Sequence, residues 1–505
     1  MKTLVIAEKP SVARDIARVL GCAKKENGAL EGNQYIVTWA LGHLVTLKDP
    51  EDYDKKYKEW NMAVLPMMPE KLQIKVIPQT GKQYHAVTTQ LARKDVGEVV
   101  IATDAGREGE LVARWILDKA HNQKPCKRLW ISSVTDKAIR EGFASLKDAK
   151  EYDNLYRAAV SRAEADWLVG INATRALTCK YNAQLSCGRV QTPTLAMIAQ
   201  REQEIREFVP KPYYTVTAAA GGAVYTWKDE KSGGTRISDP EKAKQIAEKA
   251  KRYPLVLQKV GKKKKQKEAP LLYDLTELQR DASARFGYSA KQTLNLMQSL
   301  YETHKVLTYP RTDSRYLTKD IVPTLKERLD AVSIGPYKTL AQQAKRRPLK
   351  EKPGFVNDAK VSDHHAIIPT EQYVQLSALS NEERRIYDLV VRRFLAVLLP
   401  PCVYEETVIQ ASIEKECFTA RGKRMVEKGW QEAYEDNRYD EEDEAKEEVR
   451  EQNLPLLEAG MKIGQPKISL REGKTKPPAR FTEGTLLSAM ENPVRYMENR
   501  DKNDR

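Results

Sequence analysis

A tyrosine and an arginine two residues apart, Tyr309 and Arg311, are the clearest candidates for chemistry in this chain. Pro310 stands between them and disfavours helical backbone at Tyr309, so an extended or turned segment is expected. Side chains two residues apart in an extended segment point to the same side, and the phenol and guanidinium would face one phosphate together. The pair predicts covalent attack on a phosphodiester. The alternative is a tyrosine that packs in a loop beside a solvated arginine.

Three carboxylates, those of Glu8, Asp104 and Glu108, form a second candidate group. Glu8 and Asp104 each follow an apolar, strand-like run. Carboxylates crowded together at the ends of neighbouring parallel strands are stabilised by a divalent cation, and oxygen ligands favour Mg²⁺ over zinc. The alternative is that Asp104 caps the following helix, with Glu108 near the positive end of the helix dipole.

The first 150 residues alternate between strand and helix patterns, which predicts an α/β domain with a largely parallel sheet. Strands are predicted at 3–7, 35–39, 98–102 and 128–132, and helices at 11–20, 82–94 and 108–120. Ligands of such sheets bind where strands end and helices begin. Glu8 and Asp104 both lie at such junctions.

The rest of the chain predicts mixed α+β structure. Residues 151–206 are helical around a polar loop that includes 188–193, residues 213–260 alternate as strands do, and the lysine run 262–265 resembles a hinge. Two amphipathic helices, at about 274–286 and 289–304, precede Tyr309 directly and are expected to present it. Residues 403–478 return to a strand pattern, and the last 25 or so are predicted to be helical.

The composition favours a polyanionic partner. The formal net charge is +15, although residues 434–450 alone hold nine acidic against three basic residues. No run of about 18 apolar residues and no signal peptide is present, which predicts a soluble intracellular protein without a membrane span. The six cysteines lack zinc-ligand spacing. No complete phosphate-binding loop of the ATPase type occurs, so ATP is not expected.

Five motifs occur in the order found in type IA DNA topoisomerases, and the chain closely resembles the bacterial topoisomerase III branch. The motifs lie at 8–11, 104–110, 186–191, 307–314 and 364–370. The resemblance covers nearly the whole chain. It implies a Toprim domain, which is a Rossmann-like parallel sheet, joined to a multidomain toroidal clamp.

The resemblance also implies a division into domains. Residues 1–150 would form the Toprim domain, 151–212 and 479–505 a helical DNA-binding domain whose C-terminal part is expected to be incomplete, 213–270 and 403–478 a β-rich hinge domain, and 271–402 the helical domain with Tyr309.

The implied activity is reversible, ATP-independent cleavage of one DNA strand. Tyr309 would form a 5′-phosphotyrosyl link, another strand would pass through the gap, and the freed 3′-hydroxyl would reseal it. This would relax negative supercoils or decatenate DNA. Arg311 would hold the phosphate and lower the pKa of the phenol, Lys9 would stabilise transition-state charge or protonate the leaving oxygen, and His364 would contact the phosphate. Glu8 would be a general acid or a Mg²⁺ ligand.

The family pattern implies DNA contacts outside the catalytic group, with a preference for single-stranded regions. Trp60 is expected to stack on bases, and Trp167 is either a DNA contact or a core aromatic residue. A monomer that acts on the nucleoid in the cytoplasm is implied. The implied DNA-binding residues are Trp60, Arg162, Trp167, Arg175, Gly188, Arg189, Val190, Gln191, Thr192, Pro193 and Arg311.

Two departures from the family pattern leave alternatives open. Gly106 stands where the family's acidic motif has a second aspartate, which puts two-metal schemes in doubt. The chain also ends at Arg505, before a segment that family members continue with, so a fragment or a short natural form is expected. A catalytically impaired clamp that binds single-stranded DNA, or a Toprim-type nuclease, are the alternative functions.

Overall fold

The computed structural model describes residues 1–348, 353–434 and 452–496. Residues 435–450 of the acidic stretch and residues 497–505 of the expected DNA-binding domain therefore lie outside the described residues. Within the described ranges, no helix combines the length and the apolar character needed to cross a membrane.

The strands run along the chain as β1 (Lys2–Ala7), β2 (Lys24–Glu26), β3 (Ala29–Glu31), β4 (Tyr35–Trp39), β5 (Val45–Leu47), β6 (Ile74–Val76), β7 (Val96–Ala102), β8 (Cys126–Arg128), β9 (Lys147–Asp148), β10 (Pro212–Ala220), β11 (Ala223–Trp227), β12 (Leu255–Lys267), β13 (Cys402–Ile413), β14 (Glu416–Glu427), β15 (Lys462–Ile463) and β16 (Lys467–Lys474).

The α-helices are α1 (Pro10–Val19), α2 (Gly81–Leu91), α3 (Arg107–Lys119), α4 (Asp136–Ala144), α5 (Asp153–Tyr181), α6 (Gln191–Glu207), α7 (Pro240–Arg252), α8 (Leu275–Phe286), α9 (Ala290–Glu302), α10 (Leu325–Ala331), α11 (Lys338–Arg346), α12 (Asn381–Leu398) and α13 (Glu483–Glu491).

The N-terminal sheet has the strand order β2-β3-β4-β1-β7-β8-β9. Its central strands β4, β1, β7 and β8 pair in parallel, and antiparallel strands close both edges. The apolar runs of β1 and β7 are buried because helices cover the sheet, which is what a parallel sheet requires. The predicted α/β domain is confirmed, and β1 and β7 end side by side.

A second sheet is antiparallel throughout and has the order β15-β12-β13-β14-β11-β10-β16. The interpretation of the lysine run as a hinge is wrong, because Lys262–Lys265 lie inside β12 and pair with residues 404–407 of β13. The strand tolerates the run because its lysine side chains are exposed. The strand prediction for 213–260 also missed α7, which Asp239 caps.

The helical unit built on α8, α9 and α12 presents Tyr309. Its core includes Leu278, Met297 and Leu300 together with the inward face of α12. After α9 the chain is extended, and Thr308 and Thr312 tie it to residues 364–368. The N–H of Thr308 donates to the carbonyl of Ile368 at 3.0 Å, and the hydroxyl of Thr312 donates to the carbonyl of His364 at 2.8 Å. Two helices and a bonded neighbour segment thus fix the backbone on both sides of Tyr309.

Helices α5 and α6 are packed much less. In the 29 residues of α5 only Ala159, Trp167 and Arg175 are fully buried, and in α6 only Met197 is. The polar loop predicted between two helices is confirmed, and it leads directly into α6. Much of this region is therefore surface.

Candidate active site

Tyr309 lies where the N-terminal sheet meets the helical unit. Its side chain is buried, and its hydroxyl donates to Oδ2 of Asp104 at 3.3 Å. Its ring packs against those of Tyr301 and His364, with centroids 5.4 and 4.4 Å away. Asp104 is 205 residues upstream of Tyr309 in the sequence. The two strongest candidate groups from the sequence therefore meet in space.

The surroundings of Tyr309 keep its phenol protonated. Burial raises the pKa of the Tyr309 phenol well above its ordinary value of 10.0, and the charges of Asp104 and Glu8 raise it further. Arg311 lowers this pKa, in the predicted direction, but does not offset the other effects. Attack by the phenol therefore requires a proton acceptor, and Asp104 already accepts its hydrogen bond.

Glu8 and Asp104 lie together at the carboxyl ends of β1 and β7. An oxygen of Glu8 accepts the backbone N–H of Asp104 at 3.0 Å. Burial, followed by the charge of Asp104, raises the pKa of Glu8 from 4.5 to about 7. Burial also raises the pKa of Asp104. Two such carboxylates are costly to ionise together without a cation, so their chemistry fits a bound divalent metal.

The alternative that Asp104 caps α3 is wrong, because the residue at the N-cap is Gly106 and no side chain caps this end. Gly109 explains the shape of the loop, since a Cβ there would lie 1.9 Å from the carbonyl oxygen of Asp104. Behind the loop, the fully buried Arg128 bonds to the buried carboxylate of Glu110 and donates to the carbonyls of Thr103 and Asp104. Asp104 is thus held by close packing and a buried ion pair.

Glu108 lines the same cavity as Glu8 and Asp104 but does not form a three-carboxylate group with them. It is exposed, and its oxygens lie 3.1 Å from Arg162 and 3.6 Å from His43. The neighbouring imidazole of His43 is the main cause that lowers the pKa of Glu108. In the part of the chain that the structure describes, no three His, Cys, Asp or Glu side chains are grouped closely enough to hold a metal.

Lys9 connects the two units through an ion pair. Its ammonium lies 2.7 Å from Oε1 of Glu302, at the end of α9, and Gln298 donates to the same oxygen. A phosphate that reaches Lys9 would compete with Glu302 for this cation. Arg311 is exposed and lines the same cavity of about 280 Å³, together with Glu8, Lys9, Asp104, Tyr309 and His364.

His364 is buried, and both of its ring nitrogens are engaged. Nδ1 lies 2.9 Å from the hydroxyl of Ser132, and Nε2 bonds to the carbonyl of Ala105. A carbonyl only accepts, so Nε2 carries the proton and the Ser132 hydroxyl donates to Nδ1. Burial lowers the pKa of His364 to about 4, so the ring is neutral at pH 7. It can donate from Nε2 to a phosphate oxygen without a charge of its own.

The predicted DNA-binding aromatic residues differ in exposure. Trp60 is 50% exposed, and the guanidinium of Arg175 lies 5.1 Å from its ring centroid. Arg175 is buried and donates to the carbonyl of Tyr57. Its guanidinium is therefore held in place against the Trp60 ring. Trp167 is buried, and its indole N–H donates to the carbonyl of Lys48 at 2.9 Å. The structure favours the core interpretation of Trp167.

Residues 188–193 lie at the exposed start of α6. The hydroxyl of Thr192 accepts the N–H of Gly188 at 3.1 Å, and Arg189 pairs with Asp166 at 2.9 Å. Val190, Gln191 and Pro193 are exposed. Arg162, on α5, is half-exposed and bonds to Glu108. These groups are open to a ligand, and Arg162 also lines the cavity at Tyr309, whereas residues 188–193 do not.

Sequence reasoning missed three residues at the site: Trp130, Ser132 and Glu302. Trp130 and Ser132 follow β8, which lies parallel to β7, so the rule that ligands bind at strand ends could have identified them. Glu302 ends the predicted helix before Tyr309, and its position on that helix was the available signal.

Comparisons with known proteins agree with this geometry. A family model described as DNA topoisomerase matches residues 150–493, and one described as Toprim domain matches residues 3–134. DNA topoisomerase 3 of Bacillus subtilis (strain 168) is 59% identical over 501 residues, which is 99% of this chain and 68% of the relative. DNA topoisomerase 3 of Bacillus anthracis is 59% identical over 502 residues, with the same coverage of both chains.

A solved structure supports the fold. The full-length topoisomerase I of Thermotoga maritima superimposes with a TM-score of 0.72 at 23% sequence identity, covering 97% of this chain and 75% of that one. The predicted mixed architecture with an N-terminal Toprim domain is confirmed.

Proposed function

Because this chain belongs to the type IA DNA topoisomerase family, we propose that it cleaves one DNA strand, passes another strand through the break and reseals it. The outcome is relaxation of negative supercoils, decatenation, or both. The observation that carries the proposal is the hydrogen bond between the hydroxyl of Tyr309 and Asp104 of the Toprim domain. A nuclease that used the acidic residues alone would have no need for a tyrosine at this contact.

The cleavage step follows from the groups around Tyr309. Its phenolic oxygen attacks the phosphorus, and the proton leaves to Asp104, which already accepts it. The bond between phosphorus and the 3′ oxygen breaks, and the 5′ phosphate stays on Tyr309. Lys9 stabilises or protonates the leaving oxygen once the phosphate displaces Glu302. Religation is the reverse step, so the energy of the ester is retained and no ATP is required.

Two further residues would hold the scissile phosphate. Arg311 is exposed at the mouth of the cavity and offers a bidentate guanidinium. His364 offers its Nε2 proton once it leaves the carbonyl of Ala105. Both lie within the segments that Thr308 and Thr312 tie together, so one rigid element would present the nucleophile and the two phosphate contacts.

A Toprim domain is a metal-binding domain, and we assign the metal as Mg²⁺ because the donors are carboxylates. Glu8 and Asp104 would hold it, with Glu108 as a further ligand if it releases Arg162 and His43. When bound, the ion would supply positive charge next to the reacting phosphate. Gly106 leaves one position of the acidic motif without a carboxylate, which favours one ion over two.

The substrate is DNA with single-stranded regions. The exposed Trp60 is suited to stack on an unpaired base, and the loop at 188–193 and Arg162 are suited to backbone phosphates. We also propose that the protein acts as a monomer on the nucleoid in the cytoplasm. The proposed domains are the Toprim domain at 1–150, the DNA-binding domain at 151–212 with 479–505, the β-rich domain at 213–270 with 403–478, and the helical domain at 271–402.

The test uses the purified chain with negatively supercoiled plasmid and Mg²⁺, quenched with detergent. We expect a ladder of relaxed products and protein attached to 5′ ends. Tight binding of single-stranded DNA without any covalent product, under conditions in which a full-length relative is active, would instead support the impaired clamp.

A further inference from the structure

The segment of residues 130–132, here called the docking segment, follows β8 and makes three hydrogen bonds to the helical unit. The carbonyl of Ser132 accepts the backbone N–H of Tyr309 at 2.9 Å. The hydroxyl of Ser132 donates to Nδ1 of His364 at 2.9 Å. The indole N–H of Trp130 donates to the carbonyl of Asp363 at 3.2 Å. One short piece of the Toprim domain therefore reaches both the nucleophile and the histidine.

Ring packing reinforces these bonds. The indole of Trp130 stacks on His364, with the ring planes 15° apart, and on Tyr152, just before α5, at a centroid distance of 4.6 Å. The guanidinium of Arg128, which also holds the acidic loop, lies 5.2 Å from the centre of the Trp130 ring. Arg128 thus supports the acidic loop directly and supports His364 through the Trp130 ring.

The three hydrogen bonds and the stack of Trp130 on His364 must break when the Toprim domain and the helical unit separate to admit a strand, and they must form again before religation. Hydrogen bonds weaken steeply when their angle is wrong, so three of them along one segment allow a single register. A misplacement of about 1 Å in a catalytic group can cost about 100-fold in rate.

We propose that Trp130 and Ser132 are positioning residues that set the register of Tyr309 and His364 each time the gate closes. The inference rests on the proposed function, because it assumes that the two units separate and close again. It adds that the Toprim domain supplies the alignment of the phosphate-contacting histidine as well as the acidic loop.

Single-turnover cleavage of a single-stranded oligonucleotide tests Ser132. We expect Ser132→Ala to lower the rate at saturating DNA about five- to tenfold, as the loss of one ordinary hydrogen bond would, with the half-saturating DNA concentration unchanged. Ser132→Thr keeps a hydroxyl and should recover most of the rate. Ser133→Ala, which removes a hydroxyl from the next buried residue, is the matched control. Equal losses in Ser132→Ala and Ser133→Ala would overturn the proposal.

A double-mutant cycle separates positioning from general loosening of the fold. If the Ser132 hydroxyl acts through His364, Ser132→Ala should cost less than about twofold once His364→Ala is present, because the two residues form one unit. An undiminished loss in that background would show that Ser132 does not act through the histidine.

Substitutions of Trp130 provide an independent test if Ser132→Ala does not fold. Trp130→Phe keeps a stacked ring and loses the bond to Asp363, whereas Trp130→Ala loses both. We expect rates in the order wild type, Trp130→Phe, Trp130→Ala, and cleavage by Trp130→Ala at the wild-type rate would overturn the proposal. Absence of covalent product from the wild type would refute the proposed function itself, whereas normal cleavage in every variant would refute only this inference.

Discussion

The contact around Tyr309 and the surface of α5 and α6 would serve the same DNA strand, yet they hold their side chains in opposite ways. Around Tyr309 most of the reactive groups are enclosed and already have a partner within the protein, as in the pairs Tyr309 with Asp104 and Lys9 with Glu302, while Arg311 is exposed at the mouth of the cavity. On α5 and α6 the charged groups are exposed, and the salt bridge of Arg189 with Asp166 is open to solvent.

The difference reflects what each region has to do. Bond making and breaking require fixed distances, so burial and internal hydrogen bonds are useful there even though they shift pKa values. Binding along a flexible strand requires charges that can follow the backbone, and exposed pairs are exchanged for phosphates at little cost. We therefore expect substitutions near Tyr309 to change rates and substitutions on the α5 and α6 side to change affinity.

The largest effect is expected from Tyr309→Phe, which keeps the ring packing and removes the nucleophile. Covalent 5′ ends should fall by at least about 10³-fold, because the step depends on the phenolic oxygen. Denaturing gels of labelled oligonucleotide measure this. Tyr316→Phe is the control, since it removes the hydroxyl that accepts from Lys360 in the same chain segment. Formation of covalent 5′ ends by Tyr309→Phe would contradict the assignment of Tyr309 as the nucleophile.

Metal affinity should depend strongly on pH, because the pKa of Glu8 is raised from 4.5 to about 7. Below pH 7 the metal must displace a proton from Glu8, so affinity should rise about tenfold per pH unit and level off above pH 7. Calorimetric titration with Mg²⁺ measures this. Glu8→Gln should weaken the dependence, leaving the part due to the raised pKa of Asp104, and Glu108→Gln should retain it in full. A Mg²⁺ affinity that stays the same between about pH 5.5 and about pH 7 would contradict the assignment of Glu8 as a metal ligand.

The same shift predicts how the metal-free protein responds to pH. The folded protein keeps a proton on Glu8 up to about pH 7, whereas the unfolded chain releases it near pH 4.5. The contribution of Glu8 to stability is therefore lost as pH rises between these values. Because the lowered pKa values of the buried His364 and His365 act in the opposite direction, the effect is read as a difference from Glu8→Gln. The melting midpoint of the wild type should fall relative to that of Glu8→Gln over this range, and added Mg²⁺ should reverse the difference.

An intermediate effect is expected from Trp60→Ala, because stacking of a base on an aromatic ring contributes about 1–3 kcal/mol to binding. Affinity for single-stranded DNA should fall about tenfold, while the cleavage rate at saturating DNA stays the same. Fluorescence anisotropy measures the affinity. Tyr373→Ala, which removes a ring that is 71% exposed, is the control. A lower saturated cleavage rate would place Trp60 with the catalytic group instead.

The smallest effect is expected from Arg189→Ala. Its loss should weaken DNA binding a few-fold and reduce the slope of log affinity against log salt by about 0.7, the value for one phosphate contact on a single strand. Arg140→Ala is matched to it, since Arg140 is also exposed and pairs with a carboxylate, that of Asp136 at 3.8 Å. An unchanged salt slope for Arg189→Ala would show that the loop at 188–193 does not contact phosphate.

Much of the fold followed from local patterns. The alternation of strands and helices in the first 150 residues, and the two helices before Tyr309, came directly from periodicity. The errors came where tertiary contacts override local preference. The lysine run looked like a hinge because lysine is uncommon in strands, but pairing with β13 satisfies its backbone, and its charged ends remain in water.

The sequence by itself determined which residues are chemically suited to the reaction and which segments carry them, because residue type and short-range spacing are local properties. Only the tertiary structure decided that Asp104 meets Tyr309, that Glu108 pairs with Arg162, and that Trp167 is buried. It also identified Trp130, Ser132 and Glu302. Contacts between segments hundreds of residues apart depend on how separately folded units pack together, and no local pattern in the chain encodes that packing.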